Sequence, residues 1–192
     1  LWVGLSVSAA GAGSTRALAQ TGKVVYEGEA FDRRMVVAGL ELQLNGLGVR
    51  QVAWFKGYVA ALYLAKPAST AEQALAARGA KRIQLRLLHD VPAAELAKAV
   101  RKGILRNASV QQQTELSERL ERFVRLVEAV GTVRKKDVVN LDLDPARGLL
   151  LTVNAITRGE AIAGEDFYAA VLRIWLGDKP VDGDLKKGLL GG

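Results

Sequence analysis

The sequence predicts an α+β fold built on an antiparallel sheet. Segments with the period-2 apolar pattern of strands cluster toward both ends of the chain, with helical periodicity between them. Two of these segments flank Asp144-Pro145-Ala146-Arg147-Gly148 and read as a β-hairpin, a connection that joins antiparallel neighbours.

Lys23 to Ala30 reads as the strand that opens the domain, and Met35 to Gln43 as a second extended run. Leu40, Leu42 and Leu44 alternate with Glu41 and Gln43, as in a half-buried strand. Asn45-Gly46-Leu47-Gly48 interrupts that run, and Lys56-Gly57 marks a bend. Tyr58 to Leu64 is a β-rich apolar run closed by Pro67. Ser69 and Glu72 form a capping box for a short helix to Arg78, stopped by Gly79. Lys81 to Leu88 alternates again, with Ile83, Leu85 and Leu87 on one face.

Pro92 opens a helix to Asn107 whose stripe is Leu96, Val100, Ile104 and Leu105. A second helix runs from Gln112 to Val130, with Leu116, Leu120, Phe123, Val124 and Val127 as its stripe. Glu118 with Arg122 and Glu121 with Arg125 are i,i+4 pairs in the favoured order. Lys136 to Leu143 and Leu149 to Ile156 are the hairpin strands. Phe167 to Gly177 is a last long helix, with Val171, Ile174 and Trp175 on its apolar face. A turn or short helix follows from Asp184 to Leu190.

Composition narrows the chemistry. With 192 residues, 49% apolar and 24% charged, the chain has ordinary globular usage, which argues against disorder and coiled-coil fibre. Cysteine is absent and there is a single histidine, so disulfides, thiol nucleophiles and the usual zinc sites are excluded. No metal or cofactor is expected. The net charge of +7 weakly favours anionic partners, but the basic residues are scattered and the runs Arg33-Arg34 and Arg134-Lys135-Lys136 are short. No nucleic-acid partner is expected. Gly46-Leu47-Gly48 lacks the third glycine and the following helix of a dinucleotide loop. His89 beside Asp90 is a weak candidate for acid–base work, and no serine or threonine has a recognisable triad partner.

Leu1 to Gly13 is apolar and too short to span a bilayer, and Ala17 and Ala19 fit a signal-peptidase site. Residues 1–19 are therefore expected to be a truncated signal peptide, leaving a single domain over 20–192 with no membrane span. Export to a periplasm suits a chain without thiols. Oligomeric state is left open.

The most informative pair is Arg50 and Tyr58. If the connection between their segments turns near Trp54, the two stand opposite one another on one face of a hairpin. A guanidinium beside a phenol is a donor pair suited to a carboxylate or an enolate oxygen. An exposed cross-strand stack with no ligand would use the same spacing.

Gly46-Leu47-Gly48-Val49-Arg50, Lys56-Gly57-Tyr58 through Leu64, and Phe167-Tyr168 through Gly177-Asp178 resemble the chalcone isomerase fold family, in its bacterial chalcone isomerase-like branch. The resemblance runs from about Met35 to Gly191. It implies an open-faced β-sandwich, an antiparallel sheet covered on one face by helices, with a ligand cleft between the layers. In the plant enzymes an arginine after the Gly-x-Gly-x pattern stabilises the developing enolate, and Arg50 matches it. Arg50 is therefore the residue implied to be catalytic if the protein is an isomerase of the intramolecular lyase type acting on an enone. The rest of that set does not carry over. Tyr58 stands at a plant threonine, Leu96 at the helix tyrosine, Gly103 at an asparagine and Ile174 at the last helix's threonine.

Arginine with tyrosine at these two positions resembles instead the fatty-acid-binding branch. There the pair is implied to hold a carboxylate while the chain lies in an apolar cleft. The expected function is thus a non-catalytic, exported binder of a small apolar or amphipathic ligand such as a fatty acid. Its expected ligand-binding residues are Arg50, Tyr58, Leu96, Ile174 and Trp175.

Overall fold

A computed structural model describes residues 22–192; the expected signal peptide lies outside them. In chain order the elements are β1 (Lys23–Tyr26), β2 (Glu29–Asp32), β3 (Arg34–Val37), β4 (Leu40–Val52), β5 (Phe55–Leu64), α1 (Ala71–Ala76), β6 (Lys81–Leu87), β7 (Val91–Pro92), α2 (Ala93–Leu105), α3 (Val110–Glu128), β8 (Thr132–Val133), β9 (Val138–Asp144), β10 (Gly148–Val153), β11 (Ile156–Thr157), α4 (Glu165–Leu176) and α5 (Gly183–Leu189). Seven strands form one antiparallel sheet in the order β11-β10-β9-β6-β5-β4-β3.

Alternation along β5 divides the molecule into layers. Ala60, Leu62 and Leu64 point into the main core, which they share with Ile104 of α2, Phe123 of α3, Val171 of α4 and Leu185 of α5. All five helices therefore cover one face. Val59, Ala61 and Tyr63 point the other way, onto Phe31 of the β1–β2 hairpin. The outer face also carries paired polar groups: the Arg82 guanidinium donates twice to Asp142, at 2.6 Å, and the Gln84 amide donates to Asn140. These are charge-assisted or amide pairs that let the strand bury polar side chains without leaving them unsatisfied. The architecture is the expected open-faced α+β sandwich.

Several elements differ from the expectation in detail. The first extended run is a hairpin, because Glu27 and Gly28 both take positive φ (51° and 79°) and reverse the chain. The second is likewise broken at Ala38 and Gly39 (φ 49° and 77°) into β3 and β4. Conversely, Asn45-Gly46-Leu47-Gly48 does not interrupt β4, which runs through it with one bulge between Leu44 and Gly46. Asn45 pins that bulge: its amide donates to the Ala68 and Leu189 carbonyls and its oxygen accepts from the Ala68 N–H. The glycines there serve packing. A Cβ on Gly46 would lie 2.2 Å from the Gly188 carbonyl oxygen, and one on Gly48 2.7 Å from Leu185, so α5 rests directly on bare strand backbone.

The first helix is capped by Thr70, not Ser69. Its hydroxyl accepts from the Gln73 N–H, and the helix ends at Ala76, before Gly79. The long helix starts earlier than expected, capped by a reciprocal Ser109–Gln112 box. Glu121 does not pair with Arg125 but with Arg101 of α2, a bidentate bond between helices that outcompetes the in-helix pair.

Candidate ligand-binding site

The hairpin of β4 and β5 turns at Ala53-Trp54, and Arg50 pairs with Tyr58. A second register shift, between Arg50 and Gln51, leaves Gly57 as the extra residue of β5. Lys56-Gly57 is thus a bulge within the strand and not the bend itself. Gly46, Gly48 and Arg50 all look toward the helix layer, as does Tyr58. The expected pairing, on the expected face, is present.

Beside Tyr58 a cavity of about 90 Å³ lies between the sheet and helices α2, α3 and α4. Its walls are almost wholly aliphatic and aromatic: Leu85 and Leu87 from β6, Leu96 and Val100 from α2, and Ile174 and Trp175 from α4. Tyr58, Leu96, Ile174 and Trp175 are thus gathered on one cavity, as the sequence suggested. Ile174 and Trp175 are buried, and Leu96 is half-buried. Gly103 gives α4 its close approach to α2, since a Cβ there would lie 3.0 Å from Ile174. No larger polar residue fits at that crossing without displacing a helix.

Tyr58 is the polar point of this apolar room. The Trp175 indole N–H donates to its hydroxyl at 3.0 Å. Burial pushes the phenol up to about 12, more than the Trp175 bond and the nearby Arg50 charge offset it. The group is therefore neutral, with a proton to donate.

Arg50 stands at the rim and does not line the cavity. Its guanidinium donates to the Gln51 carbonyl at 2.6 Å and to the Asp182 carboxylate at 3.1 Å. Asp182 follows Val181, which does line the cavity. Asp182 also caps α5, accepting from the Asp184 and Leu185 N–H groups, and takes a bond from the Gln51 N–H. Burial alone would raise its carboxyl, but the backbone donors of Leu185 and Gln51, the Arg50 hydrogen bond and the Asp184 N–H outweigh it, holding it below the usual carboxylate range. Sequence reading missed Asp182. The available signal was an aspartate one residue before the Gly183 start of a short helix, the usual cap position. His89 serves no acid–base partner: its ring stacks on Phe55 at 4.2 Å.

The site can hold a small apolar body, offer one phenolic proton inside and present a guanidinium at the edge that already has one carboxylate in hand. No curated protein matches the chain in sequence. The fold is similar to that of the crystal structure of a fatty-acid binding protein from Arabidopsis thaliana, with a TM-score of 0.71 and 14% identity, covering 88% of this chain and 96% of that one. A family model described as chalcone isomerase-like matches residues 23–191, over the whole sheet and all five helices, and the chain belongs to that chalcone isomerase-like family.

Proposed function

We propose that the protein is an exported, non-catalytic binder of a small apolar ligand carrying a carboxylate, such as a fatty acid. The carrying observation is the apolar cavity with Tyr58 inside it and Arg50 at its rim, cross-strand neighbours on one face. The fatty-acid binding named for the Arabidopsis structure supports the reading at the level of a shared fold. In this reading the ligand's apolar part enters between α2 and the sheet. Its carboxylate accepts the Tyr58 proton and exchanges with Asp182 for the Arg50 guanidinium. A buried carboxylate needs such donors, since an unpaired charge in a dry cleft is prohibitively costly.

The cavity is smaller than the ~150 Å³ that accommodates benzene in an engineered core. A long acyl chain therefore requires α2 to part from the sheet, and binding includes that opening.

The test is calorimetric titration of medium- and long-chain fatty acids and their methyl esters. Acid should bind more tightly than ester. Arg50→Ala should weaken acid binding by about 2–5 kcal/mol, the range for truncating one partner of a buried charge pair. Equal affinity for acid and ester, or undiminished affinity in Arg50→Ala, sinks the reading. Export is tested separately: the exported protein should begin near Gln20, and an intact Leu1 segment in a soluble periplasmic product counts against it.

A further inference from the structure

The β4–β5 hairpin ends in a tip that the cavity does not use. Trp54 is 92% exposed, Val52 57% and Phe55 45%, three large apolar side chains at one reversal of the chain. Trp54 in particular is left almost wholly in water, where burying its ring against an apolar partner would be favourable. The tip is also firmly held. Phe55 stacks on His89, and the Leu88 N–H donates to the Gly57 carbonyl at 3.0 Å.

The same contacts bring a second feature alongside. The Lys136 N–H donates to the Leu87 carbonyl at 2.8 Å, and the Lys135 N–H to the Asp90 carboxylate at 2.7 Å. Arg134, Lys135 and Lys136 therefore sit at the end of the sheet that carries His89 and Phe55, all three exposed. Among the described residues, none of the three enters an ion pair. The carboxylates nearby are engaged: Asp90 accepts from Lys135 N–H, Asp137 accepts from Arg134 N–H and the Asn154 amide, and Glu27 pairs with Lys56. Lys136 holds positive φ (74°), which reverses the chain direction locally.

An exposed tryptophan and phenylalanine beside three exposed cations, which outnumber the adjacent Asp90 and Asp137 carboxylates, match the layering of an anionic bilayer surface, where aromatic rings settle at headgroup depth and Lys or Arg meets the lipid phosphates. No described helix is long and apolar enough to cross a membrane. Tyr58, on the cavity, lies three residues beyond Phe55 on the same strand, about 10 Å along it. Tyr58, Leu87 and Val133 line the cavity, so its Tyr58 end and the tip share one end of the molecule.

We propose that Val52, Trp54 and Phe55, with Arg134, Lys135 and Lys136, form a docking surface for an anionic lipid bilayer. The proposal goes beyond ligand binding and does not depend on which ligand fills the cavity. Docking there brings the Tyr58 end of the cavity close to the compartment in which an amphipathic ligand dissolves.

The experiment is co-sedimentation of the full chain with vesicles of phosphatidylcholine, alone or mixed with phosphatidylglycerol. Wild type should partition preferentially onto the phosphatidylglycerol vesicles. Trp54→Ser/Phe55→Ser should lower that partitioning by more than about tenfold, since interfacial binding scales with buried apolar area. Lys135→Gln and Lys136→Gln should each lower it about fivefold, most visibly at low salt. Fatty-acid affinity in vesicle-free buffer and circular dichroism should be unchanged in all of them, which separates this result from failure of the cavity reading. The proposal is overturned if wild type stays in the supernatant with both vesicles. It is equally overturned if the double variant sediments like wild type, which would assign membrane contact to another segment such as Leu1 to Gly13.

Discussion

Trp175 and Tyr58 are joined by a hydrogen bond in which the indole can only donate, at 3.0 Å. The phenol oxygen is therefore the acceptor, and its own proton is left for something else. The phenol stands among apolar side chains with that proton unused by the Trp175 bond.

Removing the proton while keeping the ring should cost one hydrogen bond to a charged group. Tyr58→Phe is expected to weaken carboxylate binding by about 1.5–3 kcal/mol, with the methyl ester affected less. Trp175→Phe keeps the apolar wall and frees the Tyr58 oxygen, so its effect should be smaller than that of Tyr58→Phe. A titration in which Tyr58→Phe binds acid and ester as wild type does would show that the phenol never meets the ligand.

Asp182 competes for Arg50. Asp182→Asn retains a good helix cap but discards the carboxylate. Acid affinity should rise about fivefold, the equivalent of a partly exposed ion pair of about 1 kcal/mol. Weaker binding in Asp182→Asn would mean that the aspartate orients Arg50 for the ligand and does not occupy its place.

Acid should loosen the fold. Arg119 holds the Asp166 carboxyl down, the Asn154 amide does the same for Asp137, and Asp182 is lowered on balance by its donors. Groups with depressed folded values stabilise fully above the ordinary carboxylate range. That stability is lost as pH falls from about 4 through their folded values. Melting temperature should therefore be flat from neutral pH down to that point and then drop, with a shallower drop in Asp182→Asn. A melting temperature that rises on acidification contradicts these pairings.

Gly103→Ala sets two effects against each other. Alanine gains roughly 1 kcal/mol of helix propensity over glycine. The new Cβ meets Ile174 at 3.0 Å in a packed crossing, where overpacking costs about 1–3 kcal/mol. Crowding should win, with net loss near 1 kcal/mol by denaturant unfolding. In an Ile174→Ala background, itself down by about 2–5 kcal/mol, the same change should stabilise. Additive effects in the double variant would mean the two residues do not touch.

Chalcone cyclisation should stay at the uncatalysed rate. Leu96, Gly103 and Ile174 offer no polar group to orient a phenolate, and orientation accounts for up to roughly 7–11 kcal/mol of such barriers. Flavanone formation at an enzymatic rate that disappears in Arg50→Ala would reverse the reading of this protein as a binder.

The Arg50–Tyr58 pairing was legible because side-chain direction repeats every two residues and the turn near Trp54 fixes the register. Helical spacing showed the apolar faces of α2 and α4, and the family resemblance implied that they line a cleft. The Arg50–Asp182 contact was not, since it joins residues 132 apart and depends on where a short C-terminal helix lands. The two small N-terminal hairpins escaped notice because Glu27 and Ala38 are not turn residues by type, yet both take positive φ. Thr70 and not Ser69 caps the helix, while the Ser69 N–H and hydroxyl are taken up by the Gln73 side-chain oxygen, a choice that type alone does not reveal. Glu121 chose a partner on another helix, which periodicity within one helix does not reveal.

Bare backbone at Gly46 and Gly48 sets how deeply α5 sits, and α5 begins at Asp182. The counter-ion at the rim is therefore delivered by the chain's own terminal segment. If a ligand carboxylate binds as proposed, the seating of that segment and the occupancy of Arg50 are linked reciprocally: taking Arg50 from Asp182 withdraws one tether from the last helix, and loosening that helix makes the guanidinium easier to claim. Two residues without side chains thereby tune the electrostatics of a site to which they contribute no functional group.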